Sequence, residues 1–315
     1  MLAYTIRRLI LTVPVMLVVS TTVFLLLYLT PGDPVGVILG PEATEQQKAE
    51  LRARLGLDQP AHVQLANWYL RLLRADLGTS IFLNKPVTQA FIERVEPTVM
   101  LTLLAMAFAV GIGLPAGIVA AKLRGSWFDL AAMLVAIAGV SMPTFWVGLN
   151  LIFIFGVTLN WLPVAGYQPL SAGLWENIRY LLMPAFTLGF AQSALLARIT
   201  RSMMLEVLSQ DYIRTARAKG LSEAAVVLSH ALRNAMIPVI TVIGLSFAIL
   251  LGGAVITEQV FNIPGVGRLL VQAVSRRDYP LVQGIVLIIA AVYVIVNLVV
   301  DLIYAYLDPR IRHRD

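Results

Sequence analysis

Long runs of apolar residues alternate with shorter polar segments along most of this chain. The first run, residues 9–29, contains 21 residues and no charged side chain. A helix of that length crosses a hydrocarbon core of ~30 Å, which needs about 20 residues. The pattern therefore predicts an all-α, multi-pass membrane protein. Its six predicted spans are residues 9–29, 97–121, 130–155, 180–197, 234–257 and 279–300.

The third and first predicted spans each have a feature that admits more than one interpretation. Residues 130–175 carry no charge at all and are too long for one helix. We therefore predict that the third span ends near Phe155 and that residues 161–175 form an outer loop. The span is expected to bend near Met142 and Pro143, because proline lacks a backbone hydrogen-bond donor. The first span could instead be a cleaved signal peptide, but its apolar run is too long and no small-x-small cleavage site follows. We predict an uncleaved span that ends at the turn of residues 31–34.

Residues 31–96 form a long hydrophilic insertion. Its seven basic and eight acidic residues nearly balance, as in a small folded region outside the membrane. Thr44 and Gln47 have the spacing of a capping box at a helix N-terminus, and Gly56 is suited to close that helix. The insertion is thus predicted to contain helices of its own.

A second polar segment, residues 198–233, joins the fourth and fifth spans. It contains six basic and three acidic residues, which indicates a positive segment exposed to water. An apolar-to-small stripe at three- and four-residue steps predicts a helix with one buried face. The stripe consists of Leu205, Leu208, Tyr212 and Ala216.

This segment also carries a helix stop and a new helix start. Lys219 followed by Gly220 is typical of a helix C-terminus, because a cation suits the negative end of the dipole and glycine accepts positive φ. Ser222 with Glu223 is typical of a helix N-terminus. This arrangement of a helix, a glycine elbow and a second helix indicates an element that docks on another protein. An amphipathic loop on lipid headgroups would have a similar charge pattern, and that alternative stays open here.

Composition and charge distribution support the membrane assignment. The chain is 58% hydrophobic and only 13% charged, whereas soluble domains approach about a quarter charged. It has no cysteine, which excludes disulfides and thiolate metal sites. The net charge of +6 does not indicate nucleic acid, because the cations collect at span ends. With both termini and residues 198–233 in the cytoplasm, the inner side holds 13 Lys and Arg and the two short outer loops hold four, as the positive-inside rule requires.

The sequence lacks the residues for several other functions. No G-x-x-x-x-G-K-[ST] motif occurs, so the chain is not expected to hydrolyse ATP, and its three histidines are too scattered to predict a metal site. An intramembrane aspartyl protease would have to use Asp129 and Asp301, the acidic residues that we place within or at predicted spans. Both lie near span ends, where a structural role accounts for them better.

Ion-coupled secondary transport is the main alternative of a different class. Such proteins tend to carry ionisable residues inside the membrane, and the predicted spans contain mainly uncharged polar residues. Most of these are expected to bond between helices. Asn150, Gln192 and Ser246 are our candidates for lining a path for a polar solute.

Several strings give the chain a resemblance to a known family. Residues 216–220 (ARAKG), followed by residues 230–235 (HALRNA) and Pro238, resemble the cytoplasmic coupling loop of ATP-binding-cassette importer permeases of the peptide type. The strings at 261–268 (FNIPGVGR) and 277–284 (RDYPLVQG) resemble outer loops of that family, and the tail at 308–314 resembles its ending. At the positions where the general importer loop motif has an acidic residue, two alanines and a proline, this chain has Arg214, Thr215, Ala216 and Arg233. This departure is itself typical of the peptide branch.

The resemblance implies a type I importer permease in a bacterial inner membrane, without a cofactor of its own. It implies a second homologous permease, two ATP-binding subunits that hold ATP and Mg, and an extracytoplasmic substrate-binding protein. The implied substrates are di- or short oligopeptides or glutathione, with nickel as an alternative. The implied division is residues 1–30, an extracytoplasmic insertion at 31–96 and a permease core at 97–315. The implied contacts to the ATPase are Asp211, Tyr212, Arg214, Thr215, Ala216, Arg217, Lys219, Gly220 and Leu221.

Overall fold

The computed structural model describes residues 2–29, 34–40, 42–54 and 56–307. Most of the predicted turn at 31–34 and the tail at 308–314 lie outside these residues. The described chain is mainly helical. Its α-helices are α1 Leu2–Leu29, α2 Pro34–Leu39, α3 Glu45–Arg54, α4 Ala61–Leu73, α5 Val87–Lys122, α6 Trp127–Ser141, α7 Thr144–Leu151, α8 Leu174–Leu208, α9 Asp211–Ala218, α10 Glu223–Ala225, α11 Leu232–Val260, α12 Val266–Ser275 and α13 Tyr279–Leu307.

The predicted six-span, all-α architecture is confirmed, with one span broken. By length and apolar composition, five segments of the described chain could cross a membrane, and they include all or part of α1, α5, α8, α11 and α13. Helix α6 and the segment Thr144–Thr158 make a sixth span if they count as one. These two pieces meet at 105°, a sharper break than the predicted bend at Met142 and Pro143. Met142 has an extended conformation, as expected for the residue before a proline.

Several helices extend beyond the predicted spans. Helix α5 begins at Val87, ten residues before its predicted span, and α8 continues to Leu208. The apolar runs mark only the part of each helix that suits hydrocarbon, whereas the polar ends of the same helices can stay in water. Helix α12 lies where the sequence predicted a loop. Val266, Leu269 and Ala273 are buried on it at three- and four-residue steps, so its periodicity was readable in the sequence.

The chain divides into two compact units, the first made of residues 1–96 and 265–295. In this unit helices α1 and α4 are joined by side-chain contacts. Tyr69 Oη forms hydrogen bonds with Ser20 Oγ at 2.9 Å and with Thr21 Oγ1 at 2.6 Å. The Phe24 and Trp68 rings stack with centroids 6.1 Å apart. The capping box that the sequence predicted for α3 is present, because Thr44 N donates to the Gln47 side chain and Gln47 N donates to Thr44 Oγ1.

Asp278 joins the end of the insertion to the start of α13 within the first unit. Its side chain is buried, with Oδ2 accepting from Ser80 Oγ at 2.5 Å and from Phe82 N at 3.1 Å. Its Oδ1 accepts from Leu281 N at 3.2 Å, as a helix N-cap does. The guanidinium of Arg276 lies 3.4 Å from the centroid of the Phe82 ring. These contacts give the RDYP string a structural role.

The second unit consists of residues 97–264 and 296–315, and α8 lies at its centre. Helix α8 packs against α6, α7 and α11. Its inner face is almost entirely buried, including Leu181, Leu196 and Met204 at 0% exposure. The predicted division at residues 30/31 and 96/97 stays a prediction, since these units follow packing and not sequence order.

Small residues allow the backbones of α5 and α8 to approach closely within the second unit. A Cβ added at Gly113 would lie 2.5 Å from the Ser193 carbonyl oxygen, and one added at Gly117 would lie 2.5 Å from the Ala197 carbonyl oxygen. The spacing Gly113-x-x-x-Gly117 is the signature of close helix contacts in membranes. Our sequence analysis missed this motif, although it is visible in the sequence.

We expect Gly113→Ala and Gly117→Ala to destabilise the protein by about 1–3 kcal/mol each, because a methyl group would force the two backbones apart. Gly111→Ala is the matched control, since a Cβ there meets nothing within 4 Å. Thermal unfolding of the three variants in the same detergent would check this. Equal stability of Gly113→Ala and Gly111→Ala would contradict the close approach.

Candidate coupling site

The candidate site is built on the elbow between helices α9 and α10. Helix α9 ends at Ala218, and Gly220 has φ +78°, which confirms the left-handed conformation predicted for it. Ser222 accepts a hydrogen bond from Ala225 N and begins α10, again as predicted. A Cβ added at Gly220 would meet nothing within 4 Å, so the backbone conformation alone favours glycine there.

The apolar side of α9 is anchored in a buried cluster of the second unit. Ile213 is 0% exposed and Ala216 is 7% exposed. They pack with Met204 of α8 and with Val226 and Val227 beyond the elbow. Burial of this apolar area is the main force that fixes α9 against the rest of the unit.

This burial corrects the predicted apolar stripe. Helix α8 ends at Leu208 and α9 starts at Asp211, so Leu205 and Leu208 belong to one helix and Tyr212 to the next. Tyr212 is 43% exposed and Ile213 takes the buried position instead. The break at residues 209–210 shifts the register of the buried face, which a single continuous period could not anticipate.

Apart from Ala216, the predicted coupling residues all have exposed side chains or backbone. They are Asp211, Tyr212, Arg214, Thr215, Arg217, Lys219, Gly220 and Leu221. The outward face of α9 thus combines an aromatic ring with charged groups, whereas its inward face is apolar. Such a surface is available for docking by a partner.

Two polar contacts connect α9 to residues beyond the elbow, and a third lies within α9. Arg217 Nε donates to Glu223 Oε1 at 2.7 Å, which bridges the two helices across Gly220. Asn234 Nδ2 donates to Tyr212 Oη at 2.8 Å, which connects α9 to α11. Arg214 lies 3.3 Å from Asp211 on the same helix. All these groups are partly exposed, so each ion pair contributes little to stability and mainly orients the side chains.

A π-helical segment, Val226–Ala231, follows the elbow and leads into α11. Such segments are rare and often occur at functional sites, because the wider turn weakens the regular hydrogen-bond ladder. This one separates α10 from the membrane helix and begins with the anchored residues Val226 and Val227. It is a place where motion of α9 and α10 could be passed to α11.

A partly buried ion pair connects α8 to α6 in the same unit, with Asp129 buried and Arg201 partly exposed. Arg201 Nε donates to Asp129 Oδ1 at 2.5 Å and Arg201 Nη2 donates to Asp129 Oδ2 at 2.7 Å, a bidentate geometry. Asp129 also accepts from Gly125 N and lies in the first turn of α6, as the sequence predicted. Its partner Arg201 was missed, because the two residues are 72 positions apart. The side chain of Asp301 lies outside those that the structure describes.

The three candidate pathway residues have different surroundings. Asn150 Nδ2 donates to the Trp146 carbonyl of its own helix at 2.7 Å. By contrast, Gln192 Oε1 and Ser246 Oγ are buried atoms without a hydrogen-bond partner in the described chain. Gln192 lies on α8 and Ser246 on α11, two helices that pack together. Leaving a buried polar atom unpaired costs about 1–3 kcal/mol, so these two residues need an explanation.

Glu258 corrects the prediction that Asp129 and Asp301 are the acidic residues at or within the spans. Helix α11 continues to Val260, three residues beyond the predicted span, and therefore includes Glu258. The residue is 0% exposed, and Thr98 Oγ1 donates to its Oε1 at 2.6 Å. Among the described residues, no group of three or more His, Cys, Asp or Glu could hold a metal ion.

The fold is that of a multi-pass membrane protein, in which the anchored elbow joins two of the candidate spans. Residues 113–313 match the family of the binding-protein-dependent transport system inner membrane component, and residues 1–102 match the N-terminal part of such membrane components. The chain belongs to this family. The predicted importer permease is therefore confirmed. The chain is an inner membrane transport subunit and not an enzyme.

Known relatives match over almost the whole chain. The probable peptide ABC transporter permease protein y4tP of Sinorhizobium fredii (strain NGR234) is 47% identical, with 98% of this chain and 99% of the relative covered. The glutathione transport system permease protein GsiC of Salmonella typhimurium (strain LT2) is also 47% identical, with 100% of both chains covered. The solved MetNI methionine ABC transporter, in an inward-facing conformation, shares the fold with a TM-score of 0.59. It is 16% identical, and the match covers 70% of this chain and 97% of that chain.

We expect Gly220→Val to reduce transport while ATP hydrolysis by the complex continues, because a β-branched residue disfavours the left-handed conformation by roughly 1–2 kcal/mol. Gly220→Asn is the matched control, since asparagine tolerates that conformation. Uptake and ATP hydrolysis measured together in proteoliposomes would check this. Normal uptake with Gly220→Val would refute the role assigned to the elbow.

We expect Arg201→Ala to destabilise the protein by about 3 kcal/mol, because it leaves the buried Asp129 carboxylate without its partner. Replacing both residues together, with Asp129→Leu and Arg201→Met, is expected to cost less than Arg201→Ala alone. Arg198→Ala, one turn away and exposed, serves as the control. Unfolding temperatures of the four proteins decide the point, and an unaltered value for Arg201→Ala would contradict it.

Proposed function

We propose that this chain is one of two permease subunits of an importer for di- or short oligopeptides, with glutathione included in that substrate class. The observation that carries the proposal is the full-length similarity, at 47% identity, to a probable peptide permease and a glutathione permease. Those relatives differ in the substrate that they are named for, and both substrates are short peptides or peptide-like. A shared peptide backbone and its charged ends are what a common pathway would recognise.

The proposed assembly contains a second homologous permease, two ATPase subunits that hold ATP and Mg, and an extracytoplasmic binding protein. The insertion at residues 31–96 would lie on the outer side and help to receive that binding protein. The exposed face of α9 would dock on an ATPase. Closure of the ATPases would then move α9 and α10 as a unit, because Ile213 and Ala216 fix them to the buried cluster. The spans would switch between two packed states by rigid-body motion.

The exposed positions on α9 support a coupling role better than a purely lipid-facing one. A helix that merely lies on headgroups would turn its apolar face to the lipid. Here the apolar residues Ile213 and Ala216 pack inward against protein, while Tyr212, Thr215 and Lys219 are exposed. The outward residues are therefore the proposed contacts to the ATPase. Arg217 is proposed to act first through Glu223, by holding the elbow in shape.

Gln192 and Ser246 are proposed to line the substrate pathway. Their unpaired polar atoms lie on two adjacent helices. Water or a peptide amide in a wet path would supply the missing hydrogen bonds. Asn150 remains a weaker candidate because its amide bonds to its own helix.

Nickel import is the less favoured alternative. The described residues offer no cluster of metal-binding side chains, and the relatives reported above are named for peptides and glutathione. Ion-coupled secondary transport is not favoured either, since the chain belongs to a binding-protein-dependent family. Glu258 would be the residue for proton coupling in such a transporter, but its hydrogen bond to Thr98 gives it a structural explanation.

We expect Gln192→Leu and Ser246→Ala to lower the rate of dipeptide uptake by ~5-fold each, because each change removes about one hydrogen bond to the solute path. Neither change should lower stability, since neither atom has a partner in the described chain. Ser141→Ala is the matched control, because the Ser141 hydroxyl donates to its own helix and is exposed. Uptake of a radiolabelled dipeptide, glutathione and nickel by cells that carry each variant would be compared. Unaltered peptide uptake would refute the pathway assignment, and uptake of nickel alone would refute the proposed substrate.

A further inference from the structure

A large cavity lies within the first unit, between the outer end of α1 and the insertion. Its volume is ≈ 1040 Å³, which is at the upper end of the range for small-molecule sites. Helix α1 contributes Phe24, Leu27 and Tyr28, and the start of α13 contributes Tyr279 and Gln283. The insertion supplies most of the remaining wall.

The position of the cavity relates it to the membrane surface. Phe24, Leu27 and Tyr28 lie in the last two turns of the span at Ile10–Leu29, and Tyr279 opens the span at Tyr279–Val300. The cavity therefore lies where both helices leave the hydrocarbon. Tyrosine and tryptophan are enriched at that level, and the buried Trp68 also lines the cavity.

The charged residues of the lining are predominantly basic. Arg52, Arg71 and Arg74 line the cavity together with one carboxylate, that of Asp76, whose Oδ1 accepts from Gly78 N at 2.8 Å. Within the described residues, Arg71 and Arg74 make no ion pair. The C-terminal end of the α4 dipole is negative, which accounts for cations at Arg71 and Arg74. It does not account for Arg52, which lies on a different helix and lines the same cavity.

We propose that this cavity binds the headgroup of an anionic phospholipid from the adjacent leaflet. Guanidinium groups bind phosphate oxygens in a bidentate manner, and the aromatic and aliphatic residues of α1 suit the glycerol and the first acyl carbons. A soluble phosphate would use the same arginines but would gain nothing from Phe24 and Leu27. A zwitterionic headgroup would bring a positive group close to the arginines. The bound lipid would connect α1 to the insertion.

The test is native mass spectrometry of the purified, delipidated transporter complex, titrated with lipids of identical acyl chains. Wild-type protein is expected to retain dioleoyl phosphatidylglycerol at concentrations at which dioleoyl phosphatidylcholine is lost. In the double variant R71Q/R74Q, half-saturation with phosphatidylglycerol should require roughly 30-fold more lipid, the effect expected for two interfacial cations. R179Q is the matched control, because Arg179 is an exposed arginine outside the cavity.

Each outcome decides the proposal. A loss of phosphatidylglycerol retention in R71Q/R74Q supports it if R179Q retains the lipid fully and R71K/R74K, which keeps the charges but not the bidentate geometry, retains it in part. Equal retention of both lipids by wild-type protein overturns it, whether or not the glutamine variant folds. So does unaltered retention in R71Q/R74Q. If glycerol 3-phosphate displaces phosphatidylglycerol at equal concentration, the acyl chains contribute nothing, and the site is one for soluble phosphate and not for lipid.

Discussion

Polar groups within the apolar helices of this protein must find partners inside the protein, because hydrocarbon offers none. Asp129 meets Arg201 in a bidentate pair, and Glu258 accepts from Thr98. Both pairs join residues far apart in sequence and so connect different helices of the second unit. Gln192 Oε1 and Ser246 Oγ are among the buried side-chain atoms of the described chain that have no such partner. The same constraint thus explains how the helices of this unit are held together.

Helix α8 brings packing and coupling together. The middle part of α8 approaches α5 closely at Gly113 and Gly117. Nearer its C-terminal end, Arg201 forms an ion pair with Asp129 in the first turn of α6. Helix α9 begins at Asp211, three residues after α8 ends at Leu208. The cluster around Met204 and Ile213 holds α9 to α8. Motion imposed on α9 from outside would therefore reach a rigid element that contacts α5, α6, α7 and α11. Coupling through packed, discrete elements of this kind requires no flexible linker.

Much of this organisation could be predicted from the sequence. The apolar runs were long enough to locate the spans, Gly220 and Ser222 identified the elbow, and Thr44 with Gln47 identified a capping box, because each of these signals is local. The helix ends, the break at residues 209–210 and the register that buries Ile213 could not be predicted, since tertiary packing decides them. The partners of Asp129 and Glu258 were equally out of reach, because nothing in a single sequence links positions 72 or 160 residues apart. The α12 helix and the Gly113-x-x-x-Gly117 contact were readable and were missed.

We infer that the outward face of α9 contacts an ATPase subunit, and site-specific photo-crosslinking would detect that contact. The chain has no cysteine, so Thr215→Cys would carry a thiol-linked benzophenone at one position only. Leu228→Cys, exposed on the π-helical segment, gives the comparison outside the proposed contact. Our account predicts that irradiation of the intact complex joins position 215, and not position 228, to an ATP-binding subunit. Crosslinks from position 215 to lipid alone, in a complex that retains its ATPases, would contradict it.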